Sequence, residues 1–338
     1  MARDEEDQKG YGGPDMETKL RESSSGSHAQ YCVDGDPDVQ AFDRIDGSMV
    51  GASGSRNVTP RAVPSITERT YHGGASTGRE DSGATALSVL RARFFGHFEL
   101  FCDGEPVHLR RNGKTLTILK YLLVNSPRPV SQDHLMGWLW PESSLKKARW
   151  SLNSAIHGLR KLLSKGPSSP VNYIVLEEGY YRLCCSVRVV TDVDEFDASY
   201  EKGLRSEKAN LPREAAAQYE KAMRLYRGDY LEEDLYEDWT MVERERLSGA
   251  YLHMLGRLAH HYMEAGQYQE SIRTCYRLLR MDRSHEDSYR VLIRCYVNLG
   301  MRDRALRHYH LCEEVLEQAY NTVPASETRS LRQSVISG

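Results

Sequence analysis

The pattern of hydrophobic and polar positions divides the chain into three parts. Residues 1–87 show no helical or strand period, because Gly- and Ser-rich runs interrupt every apolar stretch, and this pattern predicts a disordered tail. Residues 88–190 alternate between short apolar runs and helical stripes, whereas residues 191–331 are helical in pattern throughout. The pattern therefore predicts an α+β region followed by an all-α region.

The second part predicts strands, three helices and a terminal hairpin. Asp103-Gly104 is a strong hairpin signal, and Ser131 is a good N-cap for the second helix. This order of elements describes a winged helix with an N-terminal sheet. The expected elements are strands at 89–95, 98–102 and 107–109, helices at 113–124, 132–138 and 145–163, and hairpin strands at 173–176 and 180–184.

The third of these helices has two contrasting faces. Its core stripe repeats at helical spacing: Leu145, Ala148, Leu152, Ala155, Ile156, Leu159 and Leu163. At 100° per residue the opposite face is polar and basic: Lys147, Trp150, Ser154, His157 and Lys161, bordered by Lys146, Asn153 and Gly158. The major groove of DNA accepts one α-helix, whose exposed side chains reach base edges and phosphates.

The candidate DNA-binding residues follow from this geometry. They are Lys146, Lys147, Arg149, Trp150, Asn153, Ser154, His157, Arg160 and Lys161 on the helix, with Asn172, Tyr173 and Arg182 in or beside the hairpin that would form the wing. The alternative is a solvated helix face with Trp150 packed against the second helix. Packing within the hairpin is the alternative for Tyr173, Tyr180 and Tyr181, and it is favoured for Tyr180.

The charge distribution favours DNA binding by the second part. Residues 1–88 contain 9 Lys and Arg against 15 Asp and Glu, residues 89–190 contain 15 against 7, and residues 191–338 contain 21 against 26. A basic segment between two acidic ones is typical of a nucleic-acid-binding module within a larger protein.

The helical part contains an internal repeat. Leu258, Tyr262, Gly266 and Ser271 recur 34 residues later as Leu292, Tyr296, Gly300 and Ala305, which is the period of tetratricopeptide helix pairs. The expected helices are 194–204, 212–226, 241–265, 268–281, 286–299 and 302–319. This surface is either a site for a protein partner or a scaffold.

An acidic cluster lies between two of the predicted helices. It contains Glu232, Glu233, Asp234, Glu237 and Asp238. Two interpretations stay open from the sequence: a solvated loop, or a docking site for a basic partner.

Signals for other functions are absent from the sequence. No phosphate-binding loop, nucleophile elbow, dinucleotide fingerprint or zinc motif is found, so neither an enzyme nor a cofactor is expected. The seven cysteines are widely spaced, and no apolar run of membrane-spanning length or secretory signal is present. A cytoplasmic, nucleoid-associated protein that does not bind membranes is expected.

Several blocks together resemble the streptomycete antibiotic regulatory protein family, which joins an OmpR-like winged helix to a bacterial transcriptional activator domain. The blocks are residues 95–100, 120–123, 139–142, 148–160, 193–196, 226–231, 237–239 and 243–247. The resemblance extends from about Leu90 to Leu331. It implies an activator that binds direct repeats near a promoter, with head-to-tail protomers, and that helps to recruit RNA polymerase. It also implies that the third helix reads the DNA.

The expected domains are a disordered tail at 1–87, the winged helix at 88–190 and the activator domain at 191–331. The alternatives are a protein-interaction scaffold that uses the helical repeats, and a repressor that binds DNA in the same way.

Overall fold

The computed structural model describes residues 88–109, 113–164 and 172–337. The predicted disordered tail, residues 1–87, lies outside the described residues. Within them, strands and three helices form the N-terminal region, and helices alone form the region that follows. The expected order, an α+β region before an all-α region, is therefore confirmed.

A four-stranded sheet opens the described chain. Its strand order is β3-β2-β1-β7, with β1 and β2 antiparallel and β1 and β7 parallel. Val89 and Leu90 of β1 pair with Arg188 and Val189 of β7, so the sheet joins the two ends of the N-terminal region. The strands are β1 Ser88–Arg93, β2 Glu99–Cys102, β3 Glu105–Pro106 and β7 Val187–Thr191.

Three helices and a three-stranded sheet complete the N-terminal region. The sheet has the order β4-β6-β5, and β5 and β6 form the predicted hairpin. The helices are α1 Lys114–Asn125, α2 Gln132–Leu139 and α3 Leu145–Leu163, and the strands are β4 Val130–Ser131, β5 Ile174–Glu177 and β6 Tyr180–Leu183. Ser131 caps α2 as predicted, because its side chain accepts a hydrogen bond from the backbone N–H of His134.

The prediction of a strand at 107–109 is wrong. Asp103 and Gly104 both have positive φ, 50° and 90°, so two residues complete the turn and Glu105 already pairs with Cys102. The strands β4 and β7 were not predicted. The strand β4 has only two residues and therefore no hydrophobic pattern of its own, whereas β7 is rich in the β-branched residues that favour a strand.

Seven α-helices follow β7 in the described chain. The six predicted helices are found within a few residues of their expected ends, and α10 was not predicted. The helices are α4 Asp192–Lys208, α5 Pro212–Leu225, α6 Asp238–Glu264, α7 Tyr268–Met281, α8 Glu286–Asn298, α9 Arg302–Tyr320 and α10 Ser326–Ser337.

The 34-residue repeat corresponds to matching geometry. Gly266 and Gly300 each follow a helix with φ of 74° and 75°, a conformation that glycine adopts without strain. Ser271 and Ala305 are both fully buried, so a small side chain lets the neighbouring helices approach closely. The α6–α7 and α8–α9 pairs thus repeat one helix-turn-helix unit, as expected of a tetratricopeptide-like domain.

The two regions share one hydrophobic core. Phe95 packs against Phe196 and Tyr226, with ring centroids 5.1 and 4.8 Å apart, and Phe94 stacks on Tyr230. The backbone N–H of Leu231 donates to the carbonyl oxygen of Phe94 at 2.8 Å. The helical region is therefore docked on the end of β1, and the predicted division near residue 190 falls inside a continuous core.

A buried carboxylate supports this junction. Asp192 accepts hydrogen bonds from the backbone N–H groups of Phe94 and Phe95, at 2.8 and 3.2 Å. Burial raises the pKa of Asp192, although these hydrogen bonds and Arg227 act in the opposite direction.

The acidic cluster has a partner within the chain. Lys120 of α1 is buried, with its side chain 2% exposed, and its Nζ donates to Glu233 at 3.0 Å and to Asp234. Glu233 also accepts from the backbone N–H of Phe98. Two of the five acidic residues therefore bind a lysine of the N-terminal region, an arrangement that neither interpretation of the cluster included.

None of the helices in the described part of the chain is long and apolar enough to cross a membrane.

Candidate nucleic-acid interface

The two faces of α3 differ in exposure as the sequence predicts. Six of the seven stripe residues are at most 8% exposed, and they pack into the shared core: Ala148, Leu152, Ala155, Ile156, Leu159 and Leu163. Leu145 was predicted to belong to the buried stripe, but it is 64% exposed in the first turn of the helix. The buried stripe therefore begins at Ala148, about one turn later than predicted.

The outer face of α3 is open to solvent. The exposed candidate residues are Lys146, Lys147, Arg149, Trp150, Asn153, Ser154, His157 and Lys161. Trp150 is 72% exposed, so it does not pack against α2, which was the alternative considered from the sequence. The helix contains five Lys and Arg residues and no Asp or Glu. The face therefore presents positive charge that no acidic residue of the same helix offsets.

Two candidate residues of α3 have structural contacts with the hairpin. Arg160 is half-buried, and its Nε donates to the carbonyl oxygen of Ile174 at 2.9 Å. Asn153 Oδ1 accepts from the hydroxyl of Tyr181 at 3.3 Å. These contacts attach β5 and β6 to α3, so the hairpin and the helix are positioned as one unit.

The hairpin places its tyrosines differently from the prediction. Tyr173 is 1% exposed, and its hydroxyl lies 3.1 Å from Cys102 Sγ, so its role as a DNA-contacting residue is corrected to core packing. Tyr180, for which packing was favoured, is 48% exposed, whereas Tyr181 is buried. Successive strand residues point to opposite faces, and β6 turns Tyr181 towards the core and Tyr180 outward.

The remaining wing candidates lie at the surface. Asn172 is exposed beside the start of β5. The guanidinium of Arg182 binds both carboxylate oxygens of Glu177 across the hairpin, at 2.7 and 2.8 Å. Arg182 is thus oriented by an ion pair, and a phosphate would have to compete with Glu177 for it. Tyr180 is an additional surface residue that was not among the predicted DNA-binding residues. The alternation of side chains along β6 was the signal that could have placed it at the surface.

His260, a histidine of the helical region, is separate from this interface. His260 Nε2 lies 2.6 Å from a carboxylate oxygen of Asp287, which joins α6 to α8. The hydrogen bond from His260 lowers the pKa of Asp287 below its ordinary value. Among the described residues, no group of three or more His, Cys, Asp or Glu side chains is placed to hold a metal ion.

Two protein-family models match neighbouring parts of the sequence. The C-terminal domain of transcriptional regulatory proteins matches residues 104–182, and the bacterial transcriptional activator domain matches residues 191–336. The chain carries the two domains of the streptomycete antibiotic regulatory protein family. The resemblance drawn from the sequence blocks is therefore confirmed, and a transcriptional regulator is the function class that this family indicates.

Two relatives of this chain are transcriptional regulatory proteins of mycobacteria. The transcriptional regulatory protein MoaR1 of Mycobacterium bovis is 26% identical over 253 residues, which cover 75% of this chain and 81% of MoaR1. The transcriptional regulatory protein EmbR of Mycobacterium tuberculosis is 29% identical over 160 residues, 47% of this chain and 40% of EmbR.

A solved structure has the same fold over most of the described chain. It is Mycobacterium tuberculosis EmbR in complex with a low-affinity phosphopeptide, with a TM-score of 0.61 and 23% identity. The match covers 74% of this chain and 65% of the EmbR chain, so this chain spans just under two thirds of that structure. At this identity the likeness concerns the fold alone.

Proposed function

We propose that this protein is a sequence-specific DNA-binding transcription regulator that places the outer face of α3 in the major groove. The observation that supports the proposal is the contrast between the two faces of this helix. Its apolar side is buried, and its other side exposes cations and short polar groups to solvent. A solvated structural helix has no need of an exposed Trp150 between lysines, whereas a base-reading helix uses such a side chain to cover a sugar or a thymine methyl group.

The proposed contacts divide along the helix. Lys147 and Lys161 are 14 residues apart, about 21 Å along the axis, so they can reach phosphates on either side of the groove. Asn153, Ser154 and His157 lie between them and can hydrogen-bond base edges. Phosphate contacts would then set the position of the helix, and its polar middle would select the sequence.

The hairpin supplies the second proposed contact. Asn172 lies exposed beside the hairpin, and Arg182 can exchange Glu177 for a phosphate oxygen. Because β5 and β6 are attached to α3 through Arg160 and Asn153, the wing and the helix would dock together.

We infer activation at promoter direct repeats from the family to which the two domains are assigned. In this proposal, protomers lie head to tail on DNA, and the helical region contacts RNA polymerase. The junction at Phe94, Asp192 and Lys120 supports the proposal, because it holds the N-terminal region against the helical region, so that a protein docked on DNA would present its helical region in a defined position.

The test is an electrophoretic mobility shift with the full chain, because the isolated N-terminal region would expose the shared core. The Lys147→Ala, Lys161→Ala variant should bind promoter DNA at least about tenfold more weakly, and the slope of log K against log[salt] should become smaller by about two. Lys202→Ala, Lys221→Ala, which removes two exposed lysines of the helical region, is the matched control. Equal affinities of the parent and the α3 variant at matched salt would show that the assigned face is wrong.

The alternatives predict other outcomes. A protein-interaction scaffold would show no salt-dependent shift with promoter DNA. A repressor would shift DNA in the same way but would leave transcription in vitro unchanged or lower it. Increased transcription with the parent protein, lost in the α3 variant, is the result expected of an activator.

A further inference from the structure

A cluster of large apolar side chains lies exposed where α6 begins. We call its four residues the apolar patch: Tyr236 is 98% exposed, Val242 68%, Leu235 50% and Met241 48%. Single exposed apolar residues are normal on a protein surface, whereas several within one short segment mark an interaction site.

The loop that carries half of the apolar patch is held in place. Arg244 Nε donates to the carbonyl oxygen of Tyr230 at 3.0 Å, and its Nη2 donates to that of Asp234 at 3.2 Å. Thr240 Oγ1 donates to the carbonyl oxygens of Asp234 and Glu237. Leu235 and Tyr236 therefore project from an ordered backbone, which lowers the entropic cost of binding a partner.

A glycine extends the apolar patch along α6. Asp238, Val242, Glu245 and Gly249 are exposed and recur at spacings that place them on one face of the helix. Glycine weakens a helix interior, yet a Cβ atom at Gly249 would meet no described atom within 4 Å. Packing within the described chain therefore does not require glycine here, whereas a second helix could approach its backbone closely.

The charges around the apolar patch are acidic. Glu237, Asp238 and Glu245 are exposed beside the four apolar residues. The neighbouring Arg246 is bound to the carboxylates of Asp197 and Glu243. A complementary partner must therefore combine apolar side chains with Lys or Arg.

We propose that the apolar patch and the Gly249 face of α6 bind a helical segment of another protein, with apolar side chains flanked by Lys or Arg. The apolar side chains cover Tyr236 and Val242, the helix backbone crosses at Gly249, and the cations face Glu237, Asp238 and Glu245. This site is distinct from the outer face of α3 and does not depend on DNA binding.

The test measures binding of short synthetic helices to the full chain by fluorescence anisotropy. A peptide of Leu and Lys, with Leu at helical spacing, is the probe. Peptides with Glu in place of Lys, or Ser in place of Leu, should bind at least about tenfold more weakly. The double variant Tyr236→Ser, Val242→Ser should weaken binding of the Leu-Lys peptide to a similar extent. Val323→Ser, which removes an exposed valine elsewhere, should not weaken binding.

A second variant separates binding from folding. Gly249→Gln replaces an exposed helical glycine with a better helix former, so thermal stability should rise or stay equal, while the added side chain blocks close approach. Loss of peptide binding by this stable variant supports the proposal. Equal peptide binding by the parent, the Tyr236→Ser, Val242→Ser variant and Gly249→Gln would overturn the proposal. Sedimentation showing that a second copy of the chain covers the apolar patch would also overturn it.

Discussion

Two basic sites in the N-terminal region have opposite environments. The cations on the outer face of α3 lie in solvent, whereas Lys120 of α1 is enclosed by Glu233 and Asp234 of the helical region. An excess of positive charge in a region can therefore combine two kinds of residue. Some lysines are available to a ligand, and others bind the chain to itself.

Replacing Lys120 should have the largest effect on stability. Lys120→Met removes the cation and leaves two partly buried carboxylates without it, which should lower the free energy of unfolding by about 3 kcal/mol. Denaturant unfolding of the full chain measures this. The triple variant Lys120→Met, Glu233→Gln, Asp234→Asn removes all three charges and should recover much of the loss. A change below about 0.5 kcal/mol for Lys120→Met would contradict a structural role.

Gly228→Ala tests the same junction without altering charge. An added Cβ would lie 2.2 Å from Glu232 Oε1 and 3.1 Å from the Cα of Gly96. The Glu232 side chain can move, but the backbone at Gly96 is held by its hydrogen bond to Asp229, so the free energy of unfolding should fall by about 1 kcal/mol. Gly137→Ala, where an added Cβ meets no described atom within 4 Å, is the control measured by the same unfolding experiment.

Trp150→Ala should weaken DNA binding and leave stability nearly unchanged, unlike the variants at Lys120 and Gly228. Trp150 is 72% exposed, so the free energy of unfolding should change by less than about 0.5 kcal/mol. Affinity for promoter DNA should fall by about tenfold, measured by mobility shift at fixed salt. Tyr320→Ala removes an exposed aromatic side chain of the helical region and should leave the affinity unchanged. If Trp150→Ala binds DNA like the parent, this side chain does not belong to the interface.

The smallest expected effect is a change in how stability depends on pH, caused by the ion pair between Lys120 and Glu233. Burial would raise the pKa of Glu233, but the hydrogen bond and charge of Lys120 outweigh burial and lower it below 4.5. A lowered folded-state pKa contributes stability that is present above 4.5 and is lost as pH falls through the folded-state value. Between neutral and acidic pH, the parent should therefore lose more stability than Lys120→Met. Parallel curves for the two proteins in pH-dependent unfolding would contradict this assignment.

Local sequence patterns predicted helices and strands better than they predicted which segments of the chain pack together. The bounds of α3 followed from its apolar stripe and flanking polar residues, and Ser131 marked the start of α2. The pairing of β7 with β1 had no such signal, since the two strands lie about 100 residues apart in sequence. Tyr173 was predicted to contact DNA and Tyr180 to pack within the hairpin, whereas Tyr173 is buried and Tyr180 is exposed. The inward face of a hairpin is set by the distant segments that pack against it, so local sequence does not determine it.

The sequence by itself determined the two-domain order, the helical repeat and the two faces of α3, because periodicity and turn residues act over a few neighbouring positions. Only the tertiary structure decided that Lys120 is enclosed, that Tyr173 is buried and that the two regions share a core. Burial depends on which distant segments meet, and Glu233 meets Lys120 across 113 residues of chain. A charge count therefore identified a basic region, and the fold decided which of its cations remain at the surface.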